Sequence, residues 1–180
     1  MTLFRLPFAA FACALLVSTA YATVGEPLVV GEAWWLPQER AVVVQVLGGE
    51  FEERQRLELD APRPRRFVRL DDVNEDTAPR VPLVHGDGAF QARVTRVRRG
   101  PRPDDANLMQ PLDLYVQIRG PSGSREVRVR AYDRRVRIDR VLDIPGEPFS
   151  LVILEYLGLG FEGGYAVQEP ILMRHNRRSL

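Results

Sequence analysis

Histidine, serine and paired carboxylates are where hydrolytic chemistry would start, and in this chain they are sparse or badly placed. There are 2 histidines among the 180 residues, His85 and His175. Ser122, Ser124 or Ser150 could be drawn together with His85 into a Ser/His/Asp triad, yet none lies in a nucleophile-elbow sequence that would expose its hydroxyl on a sharp turn. Two histidines are also too few for a histidine-rich zinc site. The acidic pairs Glu52-Glu53, Asp71-Asp72 and Asp104-Asp105 are sequence neighbours. In an extended chain neighbours point to opposite sides, whereas carboxylate catalysis needs two groups facing one substrate. They read as turn and surface residues, and no catalytic residue is assigned.

Two further motifs fail on physical grounds. Gly158-Leu-Gly160-Phe-Glu-Gly163 spells a dinucleotide fingerprint and follows a predicted strand. A pyrophosphate site needs a helix to open there, and Gly164, Pro170 and the nearby end of the sequence leave no room for a βαβ unit. The segment is expected to be a loop or turn, so no cofactor is expected. Asp72-Val-Asn74-Glu-Asp76 begins like a calcium loop, but it lacks the turn glycine and has Leu83 where a closing Glu belongs. A solvated acidic loop is the expectation, and no metal is assigned.

What remains are residues suited to recognition. Trp34-Trp35 is an aromatic pair that could stack on sugar rings or anchor a protein partner. On a strand, one of the two faces the core and the other faces outward. All 25 basic residues are Arg, which removes lysine Schiff-base and P-loop chemistry. Their distribution is uneven. Residues 23–92 hold 13 acids and 8 Arg, a balance of −5, whereas residues 93–140 hold 13 Arg and 6 acids, a balance of +7. Arg119, Arg128, Arg130 and Arg137 occupy the polar phases of successive predicted strands. Guanidinium forks gathered on one face would suit carboxylate, phosphate or sulfate. The candidate binding face is therefore Arg128, Arg130 and Arg137, with Trp34 and Trp35 as aromatic candidates.

The start of the chain speaks to compartment. Arg5 precedes an apolar run over residues 6–17, and Ala20-Tyr-Ala22 supplies a small-residue cleavage site. The run is shorter than the roughly 20 residues a spanning helix needs. A signal peptide over residues 1–22, cleaved after Ala22, is expected, with a periplasmic or secreted product. The single cysteine, Cys13, falls inside that run, so disulfides and thiol chemistry are excluded from the product. Removing 22 of 180 residues leaves 158, enough for one domain at 23–180 with its own core.

The elements that must position these residues are strands. Leu112, Leu114, Val116 and Ile118 alternate with Asp113, Tyr115, Gln117 and Arg119. After Gly120-Pro-Ser-Gly-Ser124, Val127, Val129 and Ala131 alternate with Arg128, Arg130 and Tyr132, which predicts a hairpin. Further strands are expected at residues 42–46, 57–59, 67–70, 136–141 and 151–156, with late candidates at 166–168 and 171–173. The segment 151–156 is continuously apolar and so is expected to be central. Residues 81–85 and 89–97 flank Gly86-Asp-Gly88 and read as a second tight hairpin. Only residues 104–110 could manage a helical turn. A faint internal echo, Val44-Gln-Val46 and residues 65–71 against Val116-Gln-Ile118 and residues 134–139, would place two β-units about the prolines of 101–111.

Short strands punctuated by Gly and Pro, with no intervening helices, predict an all-β antiparallel sandwich, with a partly open barrel as the alternative. The expected function is a non-catalytic binding or structural component of the cell envelope, contacting another protein in an envelope or secretion-type assembly. An anionic or neutral polysaccharide is the second partner class and an unrecognised hydrolase the third reading. A protein partner predicts an exposed apolar patch or a long unpaired edge strand. A polymer predicts a continuous Arg or aromatic groove, and an enzyme predicts a deep pocket with convergent ionisable groups.

Overall fold

The computed structural model describes residues 27–48, 51–60, 65–68, 79–86, 89–102, 110–159 and 164–174. The leader at 1–22, the calcium-like stretch at 72–76, the acidic pair at 104–105 and His175 lie outside them, as does all but Gln110 of the segment proposed as a helical turn. Twelve strands follow in chain order: β1 (Val29–Leu36), β2 (Ala41–Gly48), β3 (Phe51–Glu58), β4 (Arg65–Val68), β5 (Val81–Pro82), β6 (Val84–His85), β7 (Gln91–Arg99), β8 (Leu112–Gly120), β9 (Gly123–Ala131), β10 (Val136–Asp143), β11 (Phe149–Leu159) and β12 (Gly164–Arg174). Among the described residues the helical content is one 3-10 turn at Pro37–Glu39.

Among the described residues these strands form three antiparallel sheets and no closed barrel. The orders are β4-β3-β2-β1-β5, β12-β11-β10-β6 and β7-β8-β9. A parallel bridge between Leu28 and Val167 ties the lead-in of β1 to β12.

Two cores explain how the sheets stack. The first joins Val30, Trp35, Val42, Val44 and Leu57 of the five-stranded sheet to Leu151, Ile153 and Leu172 of the four-stranded sheet. The second joins Leu114, Val116, Ile118 and Val129 of the three-stranded sheet to Val141, Val152, Leu154, Ile171 and Met173 of that same four-stranded sheet. The four-stranded sheet is thus the middle of a three-layer stack, apolar on both faces; the three-stranded sheet alternates apolar and polar residues, whereas the five-stranded sheet also buries Trp34, Leu36 and Val43 on its side away from the first core. Burying a Leu, Ile or Val side chain contributes about 1.5 to 3 kcal/mol, so both interfaces stabilise the stack.

The expected hairpin across Gly86 does not form. Residues 81–85 split at Leu83: β5 pairs with β1, Trp34 opposite Pro82, while β6 pairs with β10, His85 opposite Leu142. Pro82 has no N–H to continue a ladder, and Gly86 N donates instead to Val141 O at 3.0 Å. The late candidates at 166–168 and 171–173 belong to one strand, β12, which runs through Pro170. The two copies of the internal echo differ in setting, since β4 ends the five-stranded sheet whereas β10 lies inside the central one.

Candidate binding face

The outer side of the three-stranded sheet carries the polar phases of β7, β8 and β9. Registers place Arg93 beside Gln117 and Glu126, Arg96 beside Tyr115 and Arg128, and Arg98 beside Asp113 and Arg130. Arg119 lies between Gln91 and Ser124. The apolar phases of the same strands are committed to the second core, so the Arg side chains are held outward by packing on the other side. Six guanidinium groups against the carboxylates of Asp113 and Glu126 leave this face at +4.

Inside that face the contacts are specific. Asp113, 7% exposed, accepts from Arg128 Nη2 at 2.7 Å, and its other oxygen lies 3.7 Å from Arg130 Nε. The hydrogen bond and charge of Asp113 raise the Arg128 pKa further, fixing it as a cation. Tyr115 lies under two cations, with the Arg96 and Arg98 guanidinium carbons 3.6 and 5.7 Å from its ring centre. A bulge makes this possible. Val94 pairs with Val116 but Arg96 with Tyr115, so Thr95 is the extra residue, and its hydroxyl donates to Tyr115 O at 3.0 Å. Without it, Arg96 would fall in the inward phase.

The residues singled out from the sequence are not all brought together. Arg128 and Arg130 share the outer face of β9, but Arg137 lies on β10 in the central sheet, 2.6 Å from Glu155. The physical reason is the break after Ala131. Asp133 accepts from both the backbone N and Nε of Arg135, at 2.8 and 2.5 Å, in the non-strand stretch where the chain leaves one sheet for another. Trp34 and Trp35 point to opposite faces of β1, as strand geometry requires, but both are buried, at 7% and 3% exposure. Trp35 belongs to the first core. Trp34 packs with Leu36 and Val43 on the other side of its sheet, with the guanidinium carbons of Arg54 and Arg80 5.5 and 5.1 Å from its ring. Neither offers an open stacking platform.

Two of the serines considered for catalysis are held by hydrogen bonds. Ser150 is fully buried and donates to Asp143 Oδ1 at 2.6 Å, Ser122 donates to Arg174 O at 2.6 Å, and His85 is exposed on β6. Of the fingerprint segment, Gly158 and Leu159 lie in β11, paired with Tyr165 and Gly164 of β12, and residues 160–163 lie outside the described residues. Among the described residues, no three His, Cys, Asp or Glu side chains converge as metal ligands, and no helix is long and apolar enough to cross a membrane.

Arg93, Arg96, Arg98, Asp113 and Tyr115 were not singled out by sequence reasoning. The signal was present in Tyr115 and Asp113 sharing the polar phase of β8, but the bulge at Thr95 shifts the β7 arginines out of simple alternation. No protein-family model, curated protein or solved structure matches the chain.

Proposed function

We propose that this chain is an exported, non-catalytic binding domain of the cell envelope that docks on an acidic surface of a partner protein. The observation that supports this reading is the +4 outer face of β7, β8 and β9, where arginines surround Tyr115 on a rigid sheet. Such a field attracts an anionic partner and speeds encounter, and it is screened over about 8 Å at physiological salt. Export rests on the leader sequence, and an intact mass beginning at Thr23 tests it.

The binding test is retention of the exported product on an immobilised polyanion at two ionic strengths. Arg93→Gln combined with Arg119→Gln lies on the face but outside the Asp113 pairs, so stability should stay within about 0.5 kcal/mol. Retention should fall and its dependence on salt should become shallower. Equal retention of variant and parent, unaffected by salt, would reduce the face to a solvated surface.

A further inference from the structure

The sheet edges of this protein are treated very differently. Along β12, every second residue directs its backbone away from β11, and several of those groups are occupied: Leu28 N donates to Ala166 O at 2.9 Å and Gln168 N to Leu28 O at 2.8 Å. Further on, Pro170 has no N–H, Arg125 Nη1 donates to Leu172 O at 2.8 Å, and Ser122 Oγ donates to Arg174 O. On the other side of the three-stranded sheet, β7 is broken by its bulge. The edge strands β4, β5 and β6 have only 4, 2 and 2 residues. Short edges, bulges and proline are the devices by which sheets avoid pairing with other chains.

β9 is long, unbulged and free of proline; the protection it carries is charge, which repels a basic strand but attracts an acidic one. It runs nine residues in unbroken register with β8, and among the described residues no strand pairs with its other side. The tight turn pairs Gly120 with Gly123, so by antiparallel alternation Arg125, Val127 and Val129 bond to β8 while Ser124, Glu126, Arg128 and Arg130 turn their N–H and C=O outward. Tyr132 continues that phase, for its N–H leaves the sheet to reach Leu157 O at 2.7 Å. The residues whose backbone is directed outward are the same ones whose side chains stand on the basic face.

We propose that the edge of β9 between Ser124 and Arg130 receives an extended acidic segment of a protein partner as a fourth strand of this sheet. The proposal rests on the basic face being the docking surface and adds the mode of docking. A strand laid there gains a ladder from the outward amides and carbonyls. Its same-face side chains come within about 5.5 Å of Arg128 and Arg130, where opposite charges pair favourably. The segment it fits carries acids at alternate positions and neutral β-formers between them. A polysaccharide offers the charge but no peptide ladder, so the open edge favours a protein.

The test uses the full exported chain and a short capped peptide alternating Glu and Thr, alongside the same peptide N-methylated at alternate residues. The unmethylated peptide should bind and slow amide exchange at Glu126 and Arg128, and methylation should weaken binding at least about tenfold. Glu126→Pro removes one outward N–H, a position where an edge strand tolerates proline. It should weaken binding about tenfold, a loss of roughly 1.4 kcal/mol, although it makes the face more basic, whereas Glu126→Gln should bind at least as well as the parent. If the methylated peptide and Glu126→Pro bind like their parents, the face acts through charge alone and strand addition is overturned while the docking reading survives. If the peptides and an immobilised polyanion all fail to bind, the docking reading itself falls. Protection of the same amides by concentration-dependent dimerisation, without peptide, assigns the edge to a second copy and overturns the proposal.

Discussion

Val152 and Ile153, consecutive and fully buried in β11, belong to different cores: Val152 packs toward the three-stranded sheet and Ile153 toward the five-stranded one. The two cores therefore share a sheet but not their side-chain partners. Leu57→Ala, in the first core, and Ile118→Ala, in the second, should each destabilise by about 2 to 5 kcal/mol. Because they are separated by the middle layer, the double variant should equal their sum within about 0.5 kcal/mol. Gln117→Ala, one residue from Ile118 but on the outer face, should change little. Urea denaturation of the four variants checks all three statements, and a large coupling would mean that the layers do not pack independently.

Asp113 links stability to the basic face. It is nearly buried, and Arg128 and Arg130 are its neighbouring cations. Removing both arginines leaves a carboxylate without its compensating charges, which is destabilising even where the arginines themselves are half exposed. Arg128→Gln with Arg130→Gln should lower the urea midpoint, and adding Asp113→Asn to that pair should restore much of the loss. Failure of the third substitution to recover stability would mean that the arginines contribute through their aliphatic stems.

How much of this was legible in the sequence depends on range. The alternation of 112–118 and 127–131 specified both the β8–β9 hairpin and its buried face, because a period of two is a local property of the strand. The continuous apolar run of β11 marked a strand buried on both sides, and it lies in the middle layer. Which strand joins which sheet was not legible. Residues 81–85 look like one strand, yet Leu83 divides them between two sheets, a choice made by partners more than 45 positions away for β5 and more than 55 for β6. Arg137 misled for a related reason: its phase is polar like that of Arg130, but the turn at Asp133 carries the chain to another layer. Asp113 looked like any solvated acid, because the arginines that surround it come from other strands.

Gly146 gives a clean test of backbone conformation. Ile144-Pro145-Gly146-Glu147 is a reverse turn in which Glu147 N donates to Ile144 O at 3.1 Å, and Gly146 adopts φ 82. Proline at the second position and glycine with positive φ at the third define a type II turn. A Cβ at Gly146 would meet nothing within 4 Å. Gly146→Ala should therefore cost about 1 to 2 kcal/mol through backbone strain alone. Gly120→Ala differs in kind, because its Cβ would collide with the Phe90 ring and the penalty would be steric. Shortening the ring with Phe90→Leu should then relieve Gly120→Ala, whereas no neighbouring substitution should relieve Gly146→Ala, as urea midpoints of the paired variants would reveal.

Two carboxyl groups titrate with opposite consequences for stability. Glu53 lies on β3 in the inward phase shared with Leu57, and burial pushes its pKa above the ordinary carboxylate range. A raised folded-state pKa means that the folded protein holds the proton more tightly, so Glu53 detracts from stability once pH exceeds the ordinary value. Asp60 is the reverse: Arg40 Nε donates to it at 2.7 Å, and that hydrogen bond holds its pKa below the ordinary range. Its contribution is present above the ordinary pKa and is lost as pH falls toward the depressed one. At pH about 7, Glu53→Gln should be more stable than the parent and Asp60→Asn less stable. As pH is lowered, the Glu53→Gln advantage should vanish first, on reaching the ordinary carboxylate range near pH 4, and the Asp60→Asn deficit should close only below it. Added salt should shrink the exposed Asp60 effect more than the partly buried Glu53 effect. Urea midpoints across this pH range decide the matter, and a Glu53→Gln variant less stable than the parent at neutral pH would show that the carboxylate is compensated where it lies.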